Sequence, residues 1–324
     1  MRAKLNRNCK SKKESGFMWI RSGLFCFLMI RIRDYLRIKP VSTSDALKLY
    51  RAYFLSMCWW SIKSNRFRTV GQFLQSRNPL KVKLGELVFF VRPHSEDLGY
   101  LTSSHKPVKF GDDWTQLKKG DLFVDVGANI GYFSILASSR GANVVSVEPD
   151  NRTFQILMGN KIENKLTNMV LHNIAAGEKE DRLLLNFPSF GSGLASLNRD
   201  QALHDSGGNG DFVNVVPLDR ITEQYTSIDL IMIDVEGYEY EVLLGARETI
   251  KKTKRLIIEI WHSNREKCID FLQGNGYNMI ERRPCSDVNE YYLFENGRRN
   301  QNLSISHPAD SNMYLRDSKE GNRE

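Results

Sequence analysis

Three carboxylates stand where short apolar runs end. Asp125 lies inside Leu122-Phe-Val-Asp-Val126 just before a glycine turn, Glu148 follows Asn143–Val147, and Asp234 follows Ile228–Ile233. Such runs, bounded by turn residues, read as buried strands. In an open α/β sheet, ligands gather at the carboxyl ends of strands where the winding direction changes. One acid there could be a helix cap or a solvated group; three at the ends of three inner strands point to a site.

The turn after the first run is Asp125-Val-Gly-Ala-Asn-Ile-Gly131. Glycine at 127 and 131 permits positive φ and lets a ligand approach the backbone closely, although a turn of this kind can also be purely structural. The spacing is Gly-x-x-x-Gly, not the Gly-x-Gly-x-x-Gly that cradles a dinucleotide pyrophosphate. A ligand without phosphate needs close approach but no anion nest, which favours S-adenosyl-L-methionine over a nicotinamide cofactor. Glu148, 23 residues after Asp125, is placed to accept the hydrogens of both ribose hydroxyls. The competing reading is an acid favouring the dipole of the helix that follows Pro149.

Asp234-Val-Glu-Gly237 carries the second half of the chemistry. Asp234 could orient an acceptor hydroxyl, act as general base or bind a cation, with Glu236 and Glu239 close enough in sequence to share that work. Alternatively Asp234 caps the next helix, and the two glutamates favour its positive end. Glu259 and His262 end the following run, and a neutral His262 is a plausible base near working pH. Asp234, Glu259 and His262 could together offer oxygen and nitrogen to a metal, but no tight ligand spacing supports this, and no metal is expected. Ser189-Phe-Gly-Ser-Gly-Leu-Ala-Ser196 is a small, polar segment suited to a polar substrate, though such runs are more often plain loops. Pro284-Cys285 follows a late strand, and Cys285 is not read as a nucleophile.

Positioning these groups requires alternation. The pattern predicts strands at Leu122–Val126, Asn143–Val147, Met169–Ile174, Ile228–Ile233 and Leu256–Ile260. Helices are predicted over Ile130–Ser139, Arg152–Asn164, Tyr238–Lys251 and Arg265–Gly274, with Tyr277–Glu281 and Glu290–Phe294 closing the sheet as a hairpin-like pair. The fold class is therefore α/β: a Rossmann-like, mostly parallel sheet with helices on both faces. Leu183–Leu185 and the Gly/Ser-rich stretch read as an inserted hairpin and loop, and 207–210 as a further loop. Ser44-Asp45 can start a helix running to about Trp60. Lys81–Leu84 and Glu86–Val91, split by Gly85, form a strand pair. Four segments result: a basic helical extension at 1–80, a strand pair and lead-in at 81–120, the cofactor-binding domain at 121–296 and a polar tail at 297–324.

Charge divides the 324 residues in the same place. The net charge of +8 conceals +16 on residues 1–83 and −8 on the remainder, an asymmetry expected of a chain with an anionic surface as partner. Phe17–Ile30 is apolar but only 14 residues long and interrupted by Arg21, short of the roughly 20 residues that span a bilayer. It reads as an interfacial helix with Arg31, Arg33, Arg37 and Lys39 among anionic headgroups, or as a helix packed on the domain. Five scattered cysteines, at 9, 26, 58, 268 and 285, encode no disulfide framework or zinc site and fit a reducing cytoplasm. A nucleic-acid acceptor, suggested by the basic extension, is disfavoured by the acidic domain. A non-catalytic, membrane-associated adaptor is disfavoured by the intact acids and glycines.

Over roughly residues 88–262 the sequence resembles the FkbM family of methyltransferases. The matching pieces are Phe123-Val-Asp-Val-Gly-Ala-Asn-Ile-Gly-Tyr-Phe133, Val147-Glu-Pro149, Asn173-Ile-Ala-Ala-Gly177 and Ile231-Met-Ile-Asp-Val-Glu-Gly-Tyr-Glu239, with a looser match at Ile257-Ile-Glu-Ile-Trp-His262. The resemblance implies a seven-stranded methyltransferase sheet, S-adenosyl-L-methionine as cofactor, and transfer to an oxygen, often a sugar hydroxyl of a glycan or glycosylated metabolite. Cofactor contacts are expected at Asp125, Gly127, Asn129, Gly131, Glu148 and Ala175, and acceptor chemistry at Asp234, Glu236 and His262. Met232 stands where many relatives carry lysine, so any charge role of that lysine is absent.

Overall fold

The computed structural model describes residues 37–62, 70–101, 117–187, 195–197 and 210–297. Its centre is a seven-stranded sheet in the order β12-β13-β11-β10-β4-β5-β6. These strands are β4 (Leu122–Val126), β5 (Asn143–Val147), β6 (Met169–His172), β10 (Ile228–Ile233), β11 (Thr253–Trp261), β12 (Tyr277–Pro284) and β13 (Asn289–Asn296). The first five are parallel, and β13 inserts antiparallel between β11 and β12. The winding direction reverses at β4, which lies between β5 and β10. The carboxyl ends of those three strands carry the acids. β4 is buried along its whole length, as a strand covered on both faces must be.

Two smaller sheets flank this one. β1 (Ile38–Pro40), β2 (Leu80–Leu84) and β3 (Leu87–Val91) form an antiparallel sheet, with Gly85 at φ 64° in the β2–β3 turn. Packing runs across residue 80. Leu49 and Ala52 of helix α1 (Thr43–Ile62) share one apolar core with Val82, Phe89, Ile130, Tyr132 and Leu157. The other small sheet consists of β7 (Ala175–Ala176), β9 (Gly210–Val216) and β8 (Asp181–Asn186). The expected third strand thus ends at His172, and its continuation, Ala175–Ala176, pairs with β9 instead. β9 itself has no counterpart in the sequence reading.

Helix α4 (Asn151–Glu163) docks on the first small sheet through amides. Val88 N–H donates to Asn164 Oδ1 at 2.8 Å, Asn164 Nδ2 returns a bond to Val88 O at 2.6 Å, and Phe90 N–H donates to Asn160 Oδ1 at 2.7 Å. The helix expected over Tyr238–Lys251 is two, Glu239–Leu244 and Arg247–Lys251. The break has a cause: the Gly245 carbonyl accepts the Asp219 N–H, while the Asp219 carboxylate caps the second helix through the N–H groups of Glu248 and Thr249. Those donors have no partner within the helix.

Among the described residues, no helix is long and apolar enough to cross a membrane. The expected interfacial segment Phe17–Ile30 and the tail from 298 onward lie outside the described residues.

Candidate functional site

The carboxyl ends of β4, β5 and β10 open into a cleft enclosing about 880 Å³ including its mouth. Asp125, Gly127, Asn129, Glu148, Ala175, Asp234 and Glu236 all line it. The geometry therefore brings together seven of the nine residues singled out from the sequence.

Gly131 and His262 stand outside the lining. Gly131, at φ 84°, faces the core: a Cβ there would lie 2.3 Å from Leu157 Cδ1. Gly127 lines the cleft, yet its lack of a side chain serves the protein's own backbone. A Cβ at 127 would lie 1.8 Å from the Asp234 carbonyl oxygen, at a φ of +83°. Both glycines let the β4 turn close against β10 and α4. His262 is exposed at the far end of β11, its N–H bonded to Val288 O, and is not brought to the acids.

Glu148 is buried and held at both oxygens. Oε2 accepts the Asn129 N–H and Oε1 the Asp150 N–H, each at 2.9 Å. Asn129 adopts φ 53°, which points its amide at Glu148. Burial pushes the Glu148 carboxyl up to about 7 against these two donors. A relay that the sequence did not reveal supports the arrangement. Asp150 accepts from Thr153 Oγ1, Thr153 accepts from Arg92 Nη1 at 2.8 Å, and Arg92 pairs with Asp97, whose carboxylate also accepts the Arg92 N–H. Asp97 is fully buried, and removing one partner of a buried ion pair leaves an uncompensated charge. Asp97→Ala is therefore expected to lose about 3–5 kcal/mol in denaturant unfolding, and a loss below about 1 kcal/mol would contradict this account.

Asp125 is buried and accepts the Ser134 hydroxyl at 2.5 Å, with Ser146 completing the chain. Burial raises it to about 7. On the other side, Tyr291 of β13 donates its hydroxyl to Asp234 Oδ2 at 2.8 Å. Asp234 does not cap a helix: the next one begins at Glu239 behind Tyr238, with no side-chain cap. Glu239 is turned away from the cleft. It accepts the Gly237 N–H at 2.5 Å and is bonded by Asn264, and so fastens the turn. Glu236, at φ 51°, is pushed well above the carboxylate range by burial and then by Asp234. Ser196 donates to the Glu236 carbonyl, and Ala195 and Leu197 line the cleft, which brings the end of the Gly/Ser segment to the site. Tyr100, from α2 (Asp97–Leu101), also lines it; burial and the Asp234 charge hold its phenol protonated. Partial burial and Glu259 push the Cys285 thiol up to about 12, which leaves it a poor nucleophile.

The profile of the methyltransferase FkbM domain matches residues 125–279. The hexuronic acid methyltransferase AglP of Haloferax volcanii is 26% identical over 147 residues, 45% of this chain and 58% of the relative. The chain thus spans little more than half of that relative's length. The 31-O-demethyl-FK506 methyltransferase FkbM of Streptomyces tacrolimicus is 25% identical, over 61% of this chain and 85% of the relative. A solved rRNA methylase from Streptococcus thermophilus superposes over 59% of this chain and 96% of its own, with 11% identity and a TM-score of 0.39. The strand order, the acids at the switch point and the match to the methyltransferase FkbM domain coincide on one stretch of chain, residues 125–279.

Proposed function

We propose that the chain is an S-adenosyl-L-methionine-dependent O-methyltransferase whose acceptor is a hydroxyl on a sugar, glycan or glycosylated metabolite. The observation that carries the cofactor is the charge of the cleft. Asp125, Glu148, Asp234 and Glu236 line it, and among the described residues no Lys, Arg or His does. Such walls suit a cationic sulfonium ligand and repel a pyrophosphate. When bound, S-adenosyl-L-methionine supplies an electrophilic methyl group. Glu148, fixed by two amides, accepts the ribose hydroxyls with its remaining lone pairs, while Asn129 and Ala175 shape the same wall. Asp234, oriented by Tyr291, aligns the acceptor hydroxyl and takes its proton. Glu236 lies beside it in the same wall. Oxygen as the acceptor atom is supported by the two relatives, one named for a hexuronic acid, the other for 31-O-demethyl-FK506.

Calorimetry tests the cofactor directly: saturable binding of the methyl donor and its demethylated product is expected, and none of NAD. Saturable NAD binding without methyl-donor binding would overturn the reading. Glu148→Ala is expected to weaken the donor by about 1.5–3 kcal/mol if the bonds to the ribose are charge-assisted. pH supplies a second check. A carboxyl raised to about 7 is mostly protonated below that pH and cannot then accept two hydroxyl hydrogens. Donor affinity should therefore rise as pH passes from 6 to 8. Asp125 shares that window, so Glu148→Gln should reduce the slope without abolishing it. The acceptor is identified by mass spectrometry of glycans, lipids and metabolites from cells with and without the protein, seeking a missing methyl group.

A further inference from the structure

Behind the cleft wall, Asp234 and Glu236 meet a third acid from the neighbouring strand. β10 and β11 run parallel with Ile233 opposite Ile258, so Glu259 stands beside Asp234 at the strand end. One carboxylate oxygen from each of Asp234, Glu236 and Glu259 lies within 4.8 Å of the others. We propose that these three carboxylates bind a divalent cation of the hard, oxygen-seeking class, Mg²⁺, Mn²⁺ or Ca²⁺.

A cluster of acids alone would not carry this, and the second observation is the state of Glu259. The residue is only 4% exposed, and its Oε2 has no hydrogen-bond partner at all. Buried carboxylate oxygens are bonded in the great majority of proteins, and one left unpaired carries its full desolvation penalty. Here the carboxylate that carries it sits among two more acids. Among the described residues, no Lys or Arg pairs with any of the three; the ion pairs on this face of the fold go to other acids, such as Arg282 with Glu290. Tyr291 donates to Asp234 Oδ2, and the Asp234 and Glu259 carboxyls lie within hydrogen-bonding reach of each other. A cation supplies what protein donors do not. The donor set is oxygen only, which selects Mg²⁺, Mn²⁺ or Ca²⁺ over zinc or copper. His262, the nitrogen donor considered from the sequence, is replaced by Glu236.

Three protein ligands leave an ion of this class with open positions, because it takes six or more oxygens. Asp234 and Glu236 line the cleft while Glu259 closes the back, so the open positions face the acceptor side. There, neighbouring hydroxyls, or a hydroxyl and a carboxylate, of a sugar would complete the shell. This last step rests on the methyl-transfer reading; the cation site itself does not.

The test uses the full chain and Mn²⁺ alone, followed by electron paramagnetic resonance, with methyl-donor binding measured on the same sample by calorimetry. One Mn²⁺ per chain is expected. Glu259→Gln, which keeps the side-chain shape, and Glu236→Gln, at the cleft surface, should each weaken it at least 10-fold, whereas Glu248→Gln, on an exposed helix, should not. If Glu259→Gln fails to fold, as judged by circular dichroism, Glu236→Gln decides alone. Absence of a stoichiometric site at millimolar Mn²⁺, or unchanged affinity in the folded cluster variants, would overturn the proposal. Mn²⁺ binding without methyl-donor binding would keep the cation site and remove the cofactor reading. The converse would remove only the cation site.

Discussion

Asp234→Asn is expected to hold the methyl donor with near-normal affinity and to lose on the order of 10²-fold or more in turnover. Asparagine matches the shape of aspartate and still offers an oxygen to the Tyr291 hydroxyl, which donates to Asp234 Oδ2 at 2.8 Å. The main-chain bond from Asp234 N–H to Val126 O, which extends the pairing of β10 with β4 by one residue, survives the exchange. The charge and the basic lone pair do not survive. A capping role would tolerate asparagine, which is as good an N-cap as aspartate, but here the first helical residue is Glu239 and no side chain caps it. The assay is single-turnover methyl transfer to a verified acceptor, with donor affinity measured separately. Mn²⁺ affinity measured on the same variant separates the two routes to the loss: turnover lost with the ion retained assigns the proton, and both lost together assign the cation. Near-normal turnover would remove Asp234 from the chemistry.

The second large effect is on the fold rather than the reaction. Gly127→Ala is expected to destabilise the ligand-free protein by about 3–5 kcal/mol, from the unfavourable backbone conformation and the overlap together. The added Cβ would meet the Asp234 carbonyl at 1.8 Å, backbone against backbone, at φ +83°. No side-chain rotation relieves such a contact, and β4 would have to part from β10. Thermal melting of the ligand-free variant checks this, with a fall on the order of 10 °C expected. If the variant melts normally and loses only donor affinity, the glycine serves the ligand instead.

Gly127 also shows what the sequence could and could not disclose. Its position in the turn and its positive φ were legible, because few other residues tolerate that conformation. The atom that demands its small size was not, because Asp234 is 107 residues away in the chain. The strands β4, β5 and β10 announced themselves by apolar runs that end in acids, and those acids do converge. Helix Arg265–Gly274 was read to the residue because its apolar spacing is regular. β9, Gly210–Val216, was missed because only one of its seven residues is buried and its partner β8 lies across a Gly- and Ser-rich stretch. The insertion of β13 between β11 and β12 was equally hidden, since a hairpin-like pair does not disclose which strand abuts the sheet. Tyr291 reaches Asp234 only through that insertion. His262 misled because a histidine at a strand end carries plausible chemistry, whereas its orientation is set by the backbone bond to Val288.

The amides of α4 have a further consequence at the rim of the small sheet. β3 is one of its two edge strands, and an edge with free N–H groups is a template on which another chain can add a strand. The outward-pointing donors recur at every second residue, at 88, 90 and 92, and each is occupied by a side-chain oxygen, from Asn164, Asn160 and Asp97 respectively. On this side the sheet is thus finished without a further strand, by residues that pose as one. This border offers nothing to β-augmentation by a peptide and nothing to edge-to-edge aggregation.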